Sequence, residues 1–172
     1  GREGDKVYMD DGWRVADYLI LNNGGKIIRI ADGAVLHNVY INQDDAKRLL
    51  AHCLSIDQQL YAVSGVDWWV NRESEGGRRY AESLGSFPRL YSRIDEVPIH
   101  RIEGFMVTEE GDELREWIAS KGLGLEVLPS EPGCIDIMEA GVSKDEGLRT
   151  LAKELGLSLA GSIAVGNYSN DI

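Results

Sequence analysis

Residues 140 to 172 constrain the fold of this chain more than any other stretch, because they read in order as a turn, an amphipathic helix, a short apolar run and a polar turn. Gly141-Val142-Ser143-Lys144 opens the helix, Leu148, Leu151, Ala152 and Leu155 give it a buried face, and Gly156 stops it. Ile163-Ala164-Val165 follows as a parallel-type strand, closed by Gly166-Asn167-Tyr168-Ser169-Asn170-Asp171. That succession is a piece of a βαβ scaffold. Near the other end, Tyr18-Leu19-Ile20-Leu21 is a short apolar run ended by Asn22-Asn23-Gly24-Gly25, which suits a buried strand running into a tight reversal.

The stretch between these ends has a different character. Lys26 to Ile30 and Ala34 to Tyr40 flank Asp32-Gly33 and predict a hairpin. From Asp44 the period changes: Ala46, Leu49, Leu50, Cys53 and Leu54 share one face of a helix over 44–55, with Asp44 and Asp45 at the positive end of its dipole. Leu60 to Val70 reads as one strand carrying Trp68 and Trp69 on alternate faces, one in the core and one exposed, and Arg78 to Leu84 reads as a short helix. Ile99 to Thr108 reads as a strand, Thr108 as the cap of a helix ending at Gly122, and Leu123 to Leu128 and Cys134 to Glu139 as two more strands. The expected organisation is therefore a β-rich α+β domain over 26–139, inserted between residues 1–25 and 140–172, which are two parts of one α/β domain.

Composition narrows the partners. The 172 residues carry a formal charge of −11, a field that repels nucleic acid and anionic membrane, since both are bound mainly through Lys and Arg. Cys53 and Cys134 lie far apart without C-x-x-C spacing and read as reduced, buried thiols, which with the lack of a leader-like or membrane-length apolar run predicts a cytoplasmic protein. The abrupt ends, Gly1-Arg2 and Asp171-Ile172, read as those of a piece of something longer.

Ser143-Lys144-Asp145-Glu146 has the pattern of a capping box, which puts Lys144 at the first helical position. The macrodipole disfavours a cation there by a few tenths to about 1 kcal/mol, so a nearby anion is one explanation and a lysine pointing into water is the other. Asn167, Asn170 and Asp171 follow a strand, at the carboxyl edge where open α/β sheets bind ligands, and offer the hard oxygens that Mg²⁺ takes. Taken alone they also suit ordinary loop chemistry. Arg72, Arg78 and Arg79 have forks suited to phosphate or carboxylate, and equally read as solvated charge beside Glu73, Glu75 and Glu82. His37, His52 and His100 are scattered and receive no role.

Taken together and in order, Gly-Val-Ser-Lys at 141–144, Ile163-Ala164-Val165-Gly166 and Gly-Asn-Tyr-Ser-Asn-Asp at 166–171 resemble the third and fourth motifs of the haloacid dehalogenase (HAD) superfamily, in its Cof-type phosphatase branch. Gly1-Arg2 resembles the close of the second motif, Tyr18 to Gly24 the strand and turn leading into the cap, and Ala62-Val63-Ser64-Gly65-Val66-Asp67-Trp68 a strand segment of that branch. The implied architecture is a HAD-like, Rossmannoid α/β core whose fragments flank an inserted α+β cap of the C2B type. The implied activity is a two-step phosphoryl transfer, in which one aspartate attacks phosphorus, a second acts as acid and base, and water releases phosphate.

Carried over by position, Lys144 takes the role of the charge-neutralising lysine, Asn167, Asn170 and Asp171 that of the Mg²⁺ site, and Arg72, Arg78 and Arg79 a part in substrate binding. The implied partner is a small phosphorylated metabolite, a sugar phosphate first among them.

Two departures accompany the resemblance. The first motif, with its nucleophile and acid/base aspartates, would precede Gly1, so the chain as written is expected to be inactive alone. Asp10-Asp11-Gly12 does not replace it, for it lacks an apolar strand before it and follows the second-motif remnant. Asn167 stands where the family has Asp, and a charge at about 4 Å is worth roughly 4 kcal/mol at an effective dielectric of 20, so weaker metal binding is expected. An incomplete core edge would also favour association between chains as a homo-oligomer. The reading from a different class is a non-catalytic ligand-binding or interaction module that uses the cap surface.

Overall fold

The computed structural model describes residues 16–109, 111–130 and 134–163. The chain divides into two compact units, one of residues 40–140 and the other formed by the segments before 40 and after 140. In the latter, β1 (Tyr18–Leu21), β2 (Lys26–Arg29) and β3 (Ala34–Asn38) form an antiparallel meander in that order. Tyr18 pairs with Arg29 and Leu21 with Lys26 across the first turn, and the β2–β3 register shifts between Ile27 and Ile28. Asn22 and Asn23 both take φ of 53° in the turn after β1, a left-handed conformation that asparagine tolerates better than most side chains.

The unit of residues 40–140 begins with α1 (Gln43–Ser55), whose N-cap Asn42 accepts from the backbone N–H of Asp44 and Asp45. Next come β4 (Tyr61–Ser64), β5 (Asp67–Val70), α2 (Glu75–Leu84) and β6 (Arg89–Leu90). They are followed by β7 (Gly104–Val107), α3 (Asp112–Lys121), β8 (Leu125–Pro129) and β9 (Ile135–Glu139). The six strands form one sheet in the order β6-β5-β4-β7-β9-β8, antiparallel except where β6 joins β5.

Both faces of this sheet are covered. Leu49, Leu50 and Cys53 of α1 and Leu114 and Ile118 of α3 pack with Ala62, Trp69, Phe105 and Ile137 from the sheet. Ala81 of α2 packs with Tyr61, Trp68 and Val70, the alternate residues of the same strands. Burial pushes the Cys53 thiol up to about 12, as expected of a small apolar side chain rather than a reactive one. The chain then returns to the unit of β1–β3 as α4 (Lys144–Leu155), which lies against the Asn22–Gly24 turn, β1 and β2, burying Leu151 and Ala152.

The structure differs from the sequence reading at several points. Residues 26–38, placed with the inserted domain, instead pair with β1 through a continuous hydrogen-bonded ladder, so the first boundary falls after Val39 rather than after Gly25. Leu60 to Val70 is a hairpin rather than one strand, turning at Gly65 with φ of 62°. Trp68 and Trp69 are both buried, because helices cover both faces of the sheet. Gly111, not Thr108, is the N-cap residue of α3; Thr108 serves a buried side chain instead. Leu148 and Leu155, expected on the buried face of α4, are exposed at 37% and 36%. Ile163 is 89% exposed and has no strand assignment, and the remainder of the expected terminal strand lies outside the described residues.

Candidate functional site

Lys144 is the first residue of α4, where the capping pattern places it. The Ser143 hydroxyl accepts the Glu146 backbone N–H at 3.1 Å, and Asp145 and Glu146 occupy the first turn, where carboxylates suit the helix dipole. Arg149 donates to Asp145 at 2.7 Å, so one of those carboxylates is held along the exposed side of the helix. At the other end Gly156 takes φ of 64° and its N–H reaches the carbonyls of Ala152 and Lys153. The Lys144 backbone is thus fixed on both sides: by the Ser143 cap in its own helix and by the Asn22–Gly24 turn beneath it. Sequence reading found the cap and the turn but not their contact, because the two meet only in the folded chain.

The three arginines proposed from sequence do not share one arrangement. Arg72 forms a bidentate pair with Glu109, at 3.2 and 2.7 Å, and lies 3.6 Å from Asp57. The hydrogen bonds that Arg72 donates to Glu109 raise the Arg72 pKa, so this fork is already occupied by protein carboxylate. Arg78 and Arg79 are neighbours on α2 that point to different sides of the helix, and each pairs with an exposed carboxylate, Glu73 at 3.4 Å and Glu75 at 3.8 Å. This geometry fits the solvated-charge reading of Arg78 and Arg79.

Asn167, Asn170 and Asp171, the expected Mg²⁺ ligands, lie outside the described residues, as do Gly1-Arg2 and Asp10-Asp11-Gly12. Among the described residues no group of three or more His, Cys, Asp or Glu is placed to hold a metal ion. A groove of about 290 Å³ between β2, β3 and α4 is lined by Ile27, Leu36, His37, Arg149, Leu151 and Glu154 among others; Lys144 is not part of its wall.

Two further arrangements escaped the sequence. Gln59, wholly buried, donates to the Ser74 hydroxyl at 2.7 Å and accepts from the Thr108 hydroxyl at 2.6 Å, tying β7 to the start of α2. Tyr61 joins that network at 3.5 Å, and burial raises its pKa. His52 stacks on Trp117 with ring centroids 3.8 Å apart and planes 2° from parallel, and burial lowers its pKa. A buried Gln and an aromatic pair from two distant helices carry no local sequence signal.

Comparison with known proteins bears on the whole chain. Residues 6–172 match the model of the haloacid dehalogenase-like hydrolases. A Buchnera aphidicola protein named as a phosphatase is 24% identical over 172 residues, covering 97% of this chain and 63% of its own length. Among solved structures, the HAD phosphatase BT1666 of Bacteroides thetaiotaomicron superposes with a TM-score of 0.79 at 21% identity, covering 99% of this chain and 63% of that one. A HAD subclass IIB sugar phosphatase superposes at 0.74 with 18% identity, over 90% and 58%. A haloacid dehalogenase-like hydrolase of B. subtilis gives 0.77 at 17% identity, over 97% and 68%. These likenesses establish a HAD-like α/β fold. The chain spans 63% of the length of the Buchnera relative.

Proposed function

The chain belongs to the haloacid dehalogenase-like hydrolase family, and from that membership we propose that it forms the cap and part of the core of a Mg²⁺-dependent phosphatase acting on small phosphorylated metabolites, sugar phosphates foremost. Residues 40–140 are the C2-type cap. The β1–β3 meander and α4 belong to the core. The observation that carries this reading is the placement of Lys144 at the start of α4, held by Ser143 and seated on the turn after β1.

In this reading the Lys144 ammonium neutralises charge on the transferring phosphoryl oxygens, which is the main way a protein accelerates such a transfer. The reaction itself would be carried by two aspartates, one nucleophilic and one acid/base. The first forms a bond to phosphorus as the bond to the leaving oxygen breaks; the second gives that oxygen its proton, then takes one from the water that releases phosphate. Asn167, Asn170 and Asp171 would hold Mg²⁺, since two amide oxygens and a carboxylate are donors of the hard type it accepts. When bound, Mg²⁺ supplies positive charge to the phosphoryl oxygens. The neutral amide of Asn167 leaves that site one charge short of the family pattern. The sugar phosphatase among the structural neighbours supports the choice of substrate class.

The test is turnover of a generic phosphomonoester with Mg²⁺ by the protein that includes the nucleophile-bearing segment. Activity that falls by about 10²- to 10³-fold in Lys144→Ala supports the enzyme. An inactive protein, still inactive as Asn167→Asp, favours a non-catalytic binding module instead.

A further inference from the structure

The contact between the turn after β1 and the first turn of α4 is closer than a side chain on either partner allows. Gly24 sits in the turn with φ of 105°. A Cβ built there would overlap the Ser143 carbonyl oxygen, with the Ser143 carbonyl carbon at 2.6 Å and the Lys144 nitrogen at 3.1 Å. From the helix side, a Cβ on Gly147 would lie 2.7 Å from the Gly24 Cα, 2.8 Å from its carbonyl oxygen and 3.0 Å from Cγ2 of Ile20. Two glycines separated by more than a hundred positions therefore meet backbone to backbone, at the peptide that joins Ser143 to Lys144.

This joint has one mechanical consequence. Most helices of this protein rest on neighbours through side chains, which can turn to new rotamers when the packing is disturbed. Backbone atoms have no such freedom, so the height and direction of the first turn of α4 are set by the Asn22–Gly24 turn. Asn22 and Asn23 are both left-handed there, which makes the turn itself a specified conformation rather than an adjustable loop.

We infer that Gly24 is a positioning residue for Lys144: by admitting the Ser143–Lys144 peptide against the bare turn, it sets where the lysine ammonium stands relative to the phosphoryl group. The inference rests on the catalytic reading of Lys144 given above. A side chain at residue 24 lifts the helix start by a fraction of an ångström to about an ångström, enough to cost on the order of 10²-fold in a reaction that depends on placement. Substrate binding through the cap is untouched by that displacement.

The experiment is a double-mutant cycle in the nucleophile-containing protein, with kcat and KM measured separately for Gly24→Ala, Lys144→Ala and the pair. Gly33→Ala is the comparison variant: its φ of 70° is also positive, so it too strains the backbone, but nothing lies within 4 Å of an added Cβ. The expected result is a fall of kcat of about 10²-fold in Gly24→Ala with KM within about twofold, no change in kcat for Gly33→Ala, and a double variant no slower than Lys144→Ala. A full kcat in Gly24→Ala, or losses that multiply in the double variant, overturns the inference. If Gly24→Ala does not fold, Gly147→Ala presses the same joint from the helix and is judged by the same criteria. A fully active Lys144→Ala removes the catalytic reading itself, a result distinct from a failure of the cycle.

Discussion

The two units of this chain solve the same packing problem by different means. In residues 40–140 the six-stranded sheet is covered on both faces, and its core is made of large side chains: Leu49, Leu50, Trp69, Phe105 and Ile137 on one side, Tyr61, Trp68 and Val70 on the other. In the unit that carries Lys144, the described contact between helix and strands is made at its critical point by glycine backbone, with Leu148, Leu155 and Leu157 left exposed. The first arrangement spreads stability over many interchangeable contacts. The second concentrates position in a few atoms, which is what the role proposed for Lys144 would require.

The comparison is broken most severely by truncating the apolar core. Phe105→Ala should destabilise the 40–140 unit by about 3–5 kcal/mol, read from urea unfolding followed by the fluorescence of Trp68, Trp69 and Trp117. A loss below 1 kcal/mol would mean that the two-sided core is not what stabilises this unit. Next in size is Gln59→Leu, which removes the bridge between Ser74 and Thr108; leaving their half-buried hydroxyls without that partner should cost about 1–2 kcal/mol in the same assay. Ser143→Ala removes the cap of α4 and should cost about 1 kcal/mol, confined to the Lys144 unit and visible as faster amide exchange over the first turn of that helix.

The smallest effect is electrostatic. Arg29 holds the Asp32 carboxyl at about 2, against 3.8 ordinarily, through two side-chain hydrogen bonds, with the Ala34 N–H adding to the effect. Because the folded value is depressed, whatever the pair contributes is present above pH 3.8 and is lost as the pH falls through about 2. Arg29→Gln should return the Asp32 midpoint toward 3.8 in a carboxyl titration by NMR, with little change in unfolding at neutral pH. An unchanged midpoint would show that the pair at the hairpin between β2 and β3 does not form in solution.

Much of this molecule is legible in its sequence where the signal is local. The α1 face at Ala46, Leu49, Leu50 and Cys53, the hairpin at Asp32-Gly33, and the cap at Ser143 with Lys144 behind it all follow from periodicity or from turn and capping chemistry within a few residues. The misreadings share one cause, which is pairing between distant segments. Nothing local shows that Lys26 to Asn38 continues the β1 sheet, that a second helix covers Trp68, or that Thr108 turns inward to Gln59 instead of capping α3. The same limit hid the Gly24–Gly147 contact. A glycine in an Asn-Gly turn is explained by the turn alone until the helix that rests on it is seen.

The most direct test of the central claim is a crystal structure of the nucleophile-containing protein with Mg²⁺ and orthophosphate. The account predicts that the Lys144 ammonium contacts the anion and that oxygens of Asn167, Asn170 and Asp171 face the same pocket around the cation. A bound phosphate remote from the start of α4, with Lys144 and the 167–171 segment turned away from each other, would contradict it.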